Sequence, residues 1–367
     1  MSLAGKLGLR IEWDGNAVLG VEVKSTRPQA YRVLEGRSPD NAVQLVPMLY
    51  RICGKAQQAA AIAAVSAAQG PESPAINTLA RAVACEAMQE HLWRLLLDWP
   101  KLLGLPQAQE QFVHWHGTLK AFAAGHGNAE NFLEELHQVL LGVTHAEWQR
   151  LDSYARLSEW REAGRGLFAA VVAALELEES KLDFVGERTA CALMPQWSAA
   201  DVLRIYSGGL DREFAAMPRH EGKAMETGAL ACWQHTPLLQ DVLHKRPGRL
   251  LARLIARVID LLDSVEALGH ENMSGRIQGI AASDGSGLAV VRTARGMLMH
   301  RVRIEAERVA EYLIVAPTEW NFHPQGALAN GLVGLKAGNV EQLMETIRYY
   351  VLSLDPCVEY EIEVADA

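Results

Sequence analysis

Residues 250–268 read LLARLIARVIDLLDSVEAL, an apolar stripe at helical spacing interrupted by Arg253, Arg257, Asp260 and Asp263. Leu, Ile and Val recurring every three to four residues over five turns specify an amphipathic helix whose apolar face packs into a core. Outward toward the N-terminus the same helical pattern extends back to about residue 40, rich in Ala, Leu and Glu, with Pro or Gly breaks at 70–74, 104–106, 125–127, 208–209 and 247–248. Residues 7–24 differ: apolar and polar residues alternate on either side of Asp14-Gly15-Asn16, the chemistry of a β-hairpin turn. Beyond Gly269, residues 277–282 and 288–293 flank Ser283-Asp284-Gly285-Ser286-Gly287, and alternation returns at 297–304 and 311–315. These predict a second small sheet, followed by a helix over 339–353 and a ten-residue tail. The fold class is α+β: one mainly helical domain spanning 1–367, with a helical body at 40–268 and small antiparallel sheets near both ends of the chain.

Composition narrows the function. The 367 residues carry 35 Lys+Arg against 44 Asp+Glu, a net charge of −9. That balance removes the positive field needed for nucleic-acid or anionic-membrane binding. The apolar runs 59–64 and 167–175 fall far short of the ~20 residues of a spanning helix, and the N-terminus lacks the apolar run of a signal peptide. Five cysteines, at 53, 85, 191, 232 and 357, are too few and of the wrong parity for a disulfide framework, so a cytoplasmic protein with reduced thiols is expected.

Most candidate motifs dissolve on inspection. The Gly-rich 283–287 segment lacks the Lys-Ser/Thr ending of a phosphate loop and reads as a turn. The spacings of His114, His116, His220, His235 and His244 match no metal-ligand pattern, and the sequence contains neither HExxH nor a GxSxG elbow. Cys85, Cys191 and Cys232 read as small buried hydrophobes. Cys53, in Arg51-Ile52-Cys53-Gly54, precedes an Ala-rich helix, so the helix dipole and Arg51 are expected to favour its thiolate. Cys357, in Asp355-Pro356-Cys357, follows the last helix. Thiolates are the soft ligands that iron, nickel and zinc prefer.

These two segments resemble the paired cysteine motifs of the nickel-iron hydrogenase large subunit, RxCGxC and DPCxxCxxH. The resemblance spans the chain in order: Arg10-Ile11-Glu12 is similar to RIEGH, Tyr31 to Arg37 with Pro39-Asp40-Asn41-Ala42 to FRGFE…GRxPxDA, Arg295-Gly296 with Leu298 and His300 to PRGxLxH, and Pro317-Thr318-Glu319-Trp320-Asn321 to PTxWN. In that family four thiolates hold nickel, and the second of each pair also bridges to an iron carrying two cyanides and one carbonyl. Here those second positions are Ala56 and Tyr360, and the family histidines are replaced by Ala60 and Glu363. The family's cleaved C-terminal extension is also expected to be missing, since the tail ends four residues after Glu363.

Two terminal thiolates cannot hold a binuclear centre, so the resemblance implies no hydrogen turnover and no bound nickel. What it does imply is a non-catalytic maturation protein of the HupK/HoxV kind. Such a protein would hold the Fe(CN)2(CO) unit transiently on Cys53 and Cys357 and pass it to the hydrogenase large subunit, with maturation chaperones as further partners. Arg295 and Thr318, with Pro317 beside it, fall where the family's donors meet the cyanides, and a cyanide nitrogen in a protein pocket needs such donors. The resemblance also carries Glu12 to a proton-transfer glutamate, Glu35 to an outer metal-site glutamate and Asp98 to an aspartate near the centre. The surviving cysteines are those that bind nickel terminally in the enzyme, so a carrier would place its iron differently. The alternative is a structural subunit without metal, as the quinone-reductase subunit of respiratory complex I is.

Overall fold

A computed structural model describes residues 5–27, 31–50, 52–70, 76–182, 191–206, 209–273 and 275–366. Arg51, most of the 70–74 break and residue 208 lie outside the described residues. The helix Leu250–Gly269 runs through the middle of the core and is buried on nearly every side. Its charges do not face water as interruptions of a stripe would: Arg253, Arg257 and Asp260 are themselves buried. Each is matched by a carboxylate or imidazole from a distant element, Arg253 by Glu226 (2.9 Å), Arg257 by Asp355 (3.2 Å) and Asp260 by His91 (2.9 Å). Buried charge is tolerated only with such partners, so these pairs fix how the surrounding elements dock on the helix.

The hairpin is formed by β1 (Lys6–Trp13) and β2 (Val18–Ser25), with Asp14 Oδ1 accepting the Asn16 and Ala17 N–H groups at 2.8 and 2.7 Å. The C-terminal residues are not a tail. They form β9 (Glu359–Asp366), which pairs in parallel with β1, so this first sheet is mixed, in the order β2-β1-β9, rather than antiparallel. Ile362 and Val364 pack against the core from the alternate positions of the strand. A second departure is the short parallel pair of β3 (Ala192–Leu193) and β4 (Met225–Glu226), inside the stretch expected to be wholly helical.

The other sheet is the expected antiparallel meander: β5 (Ile277–Ala281), β6 (Ser286–Thr293), β7 (Gly296–Glu305) and β8 (Arg308–Val315). The Gly-rich segment is the β5–β6 turn, with Asp284 accepting the Ser286 N–H (3.0 Å). Across this sheet lies the helix Gly54–Gln69, whose buried face is almost all alanine. Backbones approach so closely that a Cβ on Gly287 would lie 2.0 Å from the Ala64 carbonyl oxygen, and one on Gly279 3.0 Å from that of Ala63. Small residues on both partners permit that contact. The contact matters for the site because Cys53 is the N-cap of this helix. Cys357 lies beyond the helix Val340–Leu354, which ends in a left-handed Asp355 (φ 55°). Among the described residues no helix is long and apolar enough to cross a membrane.

Candidate functional site at the cysteine pair

The fold brings the two singled-out cysteines together, and they share a hydrogen bond. Cys357 is further held by Thr318, whose Oγ1 lies 3.2 Å from Sγ and also accepts the Cys357 N–H at 3.5 Å. Thr318 is buried at the second position of the short helix Pro317–Asn321, and Pro317 suits the first position because it has no N–H to leave unpaired. On the other side, Gln57 Nε2 donates to Cys53 Sγ at 3.7 Å. Its Oε1 faces His300 Nε2 (2.9 Å), and His300 Nδ1 faces the Tyr312 hydroxyl (2.9 Å). Burial pushes His300 down to about 3, so its ring is neutral. With the Gln57 amide nitrogen facing sulfur, His300 carries its proton on Nε2 and accepts from Tyr312.

Two guanidinium groups flank the pair. Arg295 bonds the Asp355 carbonyl through Nε (3.0 Å), and through Nη2 reaches Glu90 (2.6 Å) and Asp355 Oδ1 (3.2 Å). Arg27 donates to Glu319 Oε1 at 2.7 Å and stacks over Tyr50, 5.4 Å from the ring centre. The charges of both act on both sulfurs. Cys357 is held well below the ordinary thiol range, first by the hydrogen bond from Cys53, then by Arg27, Arg295 and Thr318 against the opposing effect of burial. Cys53 is driven well above it by that same bond, by burial and by the Cys357 charge. The two sulfurs thus titrate as a pair, each opposing a second charge on the other, with Cys357 the side that the surrounding cations and Thr318 favour.

The expectation from sequence was a thiolate at Cys53, favoured by the helix dipole and by Arg51, and Arg51 lies outside the described residues. The helix Gly54–Gln69 does present its positive end there, but the carboxylate of Glu86 takes it up, accepting the Lys55 and Ala56 N–H groups at 2.8 and 2.9 Å. Burial lifts Glu86 itself to about 7. Cys53 makes no capping bond.

Of the other candidates, Asp98 lies one step removed: it pairs with Arg94, which bonds Asp355 Oδ1 at 2.9 Å. Glu35 bonds Arg212 (2.9 and 2.8 Å) and the Tyr312 N–H (3.3 Å). Glu12 stands exposed on β1 over Gly20. Among the described residues no hydrogen bond or ion pair joins Glu35 or Glu12 to the cysteine pair. Ala56 and Ala60 are buried in the helix Gly54–Gln69. Tyr360 is half-exposed on β9, where its charged neighbours are Arg348, Asp98 and Arg94. Cys85, Cys191 and Cys232 are each pushed to about 12, chiefly by burial, and stay protonated. Among the described residues no group of three or more His, Cys, Asp or Glu is arranged to hold a metal ion, so the two sulfurs stand without a third such ligand.

Sequence reading missed Arg27, Glu86, Glu90 and Gln57. Gln57 carried a signal, lying one helical turn after Cys53. The other three reach the site only through the tertiary fold.

The architecture matches known proteins along its whole length. The Ni-Fe-Se hydrogenase from Desulfovibrio vulgaris Hildenborough in its reduced state superposes with a TM-score of 0.63 over 95% of this chain and 96% of that one, at 16% sequence identity. The fold is thus that of the nickel-iron hydrogenase large subunits. Residues 241–360 also match the family model described as nickel-dependent hydrogenase. Two relatives are more specific. The hydrogenase expression/formation protein HoxV of Cupriavidus necator is 30% identical over 94% of this chain and 93% of its own. HupK of Azotobacter vinelandii, a hydrogenase expression/formation protein, is 31% identical over the full length of both. The chain belongs to this HoxV/HupK family of hydrogenase expression/formation proteins.

Proposed function

We propose that the protein is a non-catalytic carrier in hydrogenase maturation, which receives the Fe(CN)2(CO) unit as cargo on Cys53 and Cys357 and passes it to the hydrogenase large subunit. The observation that carries this reading is that the fold brings Cys53 and Cys357 together beside Thr318 and Arg295, while the two further thiol positions of the enzyme family are Ala56 and Tyr360. The donor set suits the cargo: two soft sulfurs for iron, with a guanidinium and a hydroxyl able to donate to cyanide nitrogens. Only two sulfurs hold the cargo, and fewer bonds favour release. A site without the bridging thiolates offers nickel no binuclear position, so no nickel is expected. Its partners are the maturation chaperones that deliver the iron unit and the large subunit that accepts it, all in the cytoplasm.

Infrared spectroscopy of the protein purified anaerobically from its own host tests this. Cyanide and carbonyl stretching bands should be present, and Cys53→Ala or Cys357→Ala should abolish them. Spectra without bands, together with normal hydrogenase maturation in a host carrying both substitutions, would refute the carrier and favour a metal-free structural role.

A further inference from the structure

A cavity of about 240 Å³ opens between the first sheet and β8 and reaches inward to Thr318, Glu319 and Arg27. Its inner wall is one hydrogen bond from the cysteine pair, since Thr318 Oγ1 lies 3.2 Å from Cys357 Sγ. Its outer wall includes Ala216 and Met217, both exposed. Arg27 is the buried cation of the lining: its side chain is only 8% exposed, its charge acts on both sulfurs, and one carboxylate, Glu319, pairs with it while it stacks over Tyr50, whereas Arg212, also in the lining, is exposed and paired with Glu35. Arg295 differs on both counts, being bound to two carboxylates and absent from the lining of this cavity. A negative ligand entering a partly desolvated passage loses hydration, and a buried cation in the wall offsets that loss where a neutral wall would not.

We propose that this cavity is the route by which small anionic ligands reach the cysteine pair, and that Arg27 selects for negative charge along it. The ligand class is a compact anion, such as an iron fragment bearing cyanides; that identity rests on the carrier reading, whereas the route and its selectivity do not.

Alkylation of the metal-free protein tests the route directly. Iodoacetate is anionic and iodoacetamide neutral. With either, the thiolate sulfur forms a bond to the methylene carbon as iodide leaves. Modification of Cys357 and Cys53 is followed by mass spectrometry of peptides, in the folded protein and in urea. Because both reagents need the same thiolate, a change in its pKa cancels in the ratio of their rates. The iodoacetate-to-iodoacetamide ratio should be about tenfold higher in the folded protein than in the unfolded chain. Arg27→Met should return it to the unfolded value, and Arg27→Lys should keep it high. Ala216→Trp, at an exposed position of the outer wall, should slow both reagents at least fivefold (roughly, by steric closure) without moving the unfolding midpoint. Folded cysteines that react with neither reagent, rates untouched by Ala216→Trp, or a ratio retained in Arg27→Met would each overturn the proposal. Since no iron is involved, the route can stand while the infrared experiment fails, and the converse holds equally.

Discussion

Asp355 is where the structure makes its most exposed claim about stability. The residue caps the helix Val340–Leu354 in a left-handed conformation and is 2% exposed. It receives three guanidinium groups: Arg94 at 2.9 Å and Arg295 at 3.2 Å on Oδ1, and Arg257 at 3.2 Å on Oδ2. Burial opposes ionisation, but Arg295, Arg94 and Arg257 outweigh it and hold the carboxyl far below the usual range. Asp355→Asn keeps the shape and tolerates the left-handed backbone, so the change is one of charge. The three arginines do not suffer alike. Arg295 retains Glu90 and Arg94 retains Asp98, whereas Arg257 falls back on His91 at 3.4 Å and a carbonyl at 3.3 Å. Breaking one side of a buried ion pair costs ~3–5 kcal/mol, and with two of the three cations still paired the lower end, about 3 kcal/mol, is expected. Equilibrium urea unfolding followed by tryptophan fluorescence at pH 7 measures it. Because the folded carboxyl has a depressed pKa, its contribution is complete above the unfolded carboxyl's pKa of about 4 and is lost progressively as pH falls from there toward the much lower folded value, so the gap between wild type and variant should begin to narrow below about pH 4 and keep shrinking with further acid. The double variant Asp355→Asn/Arg257→Met should recover much of the loss, since it removes the stranded charge. A deficit under about 1 kcal/mol at pH 7, or one unchanged in acid, would refute the assignment of Asp355 as the hub of this network.

Two further outcomes follow from packing and from linkage. Gly287→Ala places a Cβ 2.0 Å from the Ala64 carbonyl oxygen, so the helix Gly54–Gln69 must lift from the sheet. A loss at or above the ~1–3 kcal/mol typical of overpacking is expected in thermal or urea unfolding, and a neutral effect would mean the contact is not this close. Glu86 is raised by burial from the usual 4.5 to about 7, so the folded state binds its proton more tightly than the unfolded chain does. Stability should fall by ~3 kcal/mol as pH rises between those values and level off above them, and Glu86→Gln should flatten that slope. A variant whose pH profile matches that of wild type would refute this role of Glu86.

Local chemistry made part of this legible from sequence and left the rest out of reach, for identifiable reasons. Asp14-Gly15-Asn16 announced the hairpin because a turn's requirements lie within the turn itself. The strand Glu359–Asp366 shows the same alternation, yet its partner is the first strand of the chain, and periodicity carries no information about which distant strand will pair. The charges of residues 250–268 were visible as interruptions, but whether they face water depends on Glu226, Asp355 and His91, contributed by three other elements. Arg295 and Thr318 could be singled out only by resemblance; as isolated residues they read as a strand arginine and a turn threonine.

What local reading could not supply for Cys53 is the set of neighbours that share its environment. A cysteine at a helix entrance ought to ionise, but helix dipoles act over about one turn and are satisfied by whichever anion arrives first. The carboxyl of Glu86, from the neighbouring helix Ile76–Trp93, takes that place, while Cys53 and Cys357 act chiefly on each other and Arg27, Arg295 and Thr318 favour negative charge on Cys357. The positions of the two sulfurs are thus fixed by separate packing events. Cys53 follows the helix seated on Gly279 and Gly287; Cys357 follows Asp355 with its arginines and the strand that returns to β1. A defect in either should separate the two sulfurs before it unfolds the protein, and should appear first as a fall in the folded-state iodoacetate-to-iodoacetamide ratio toward its unfolded value.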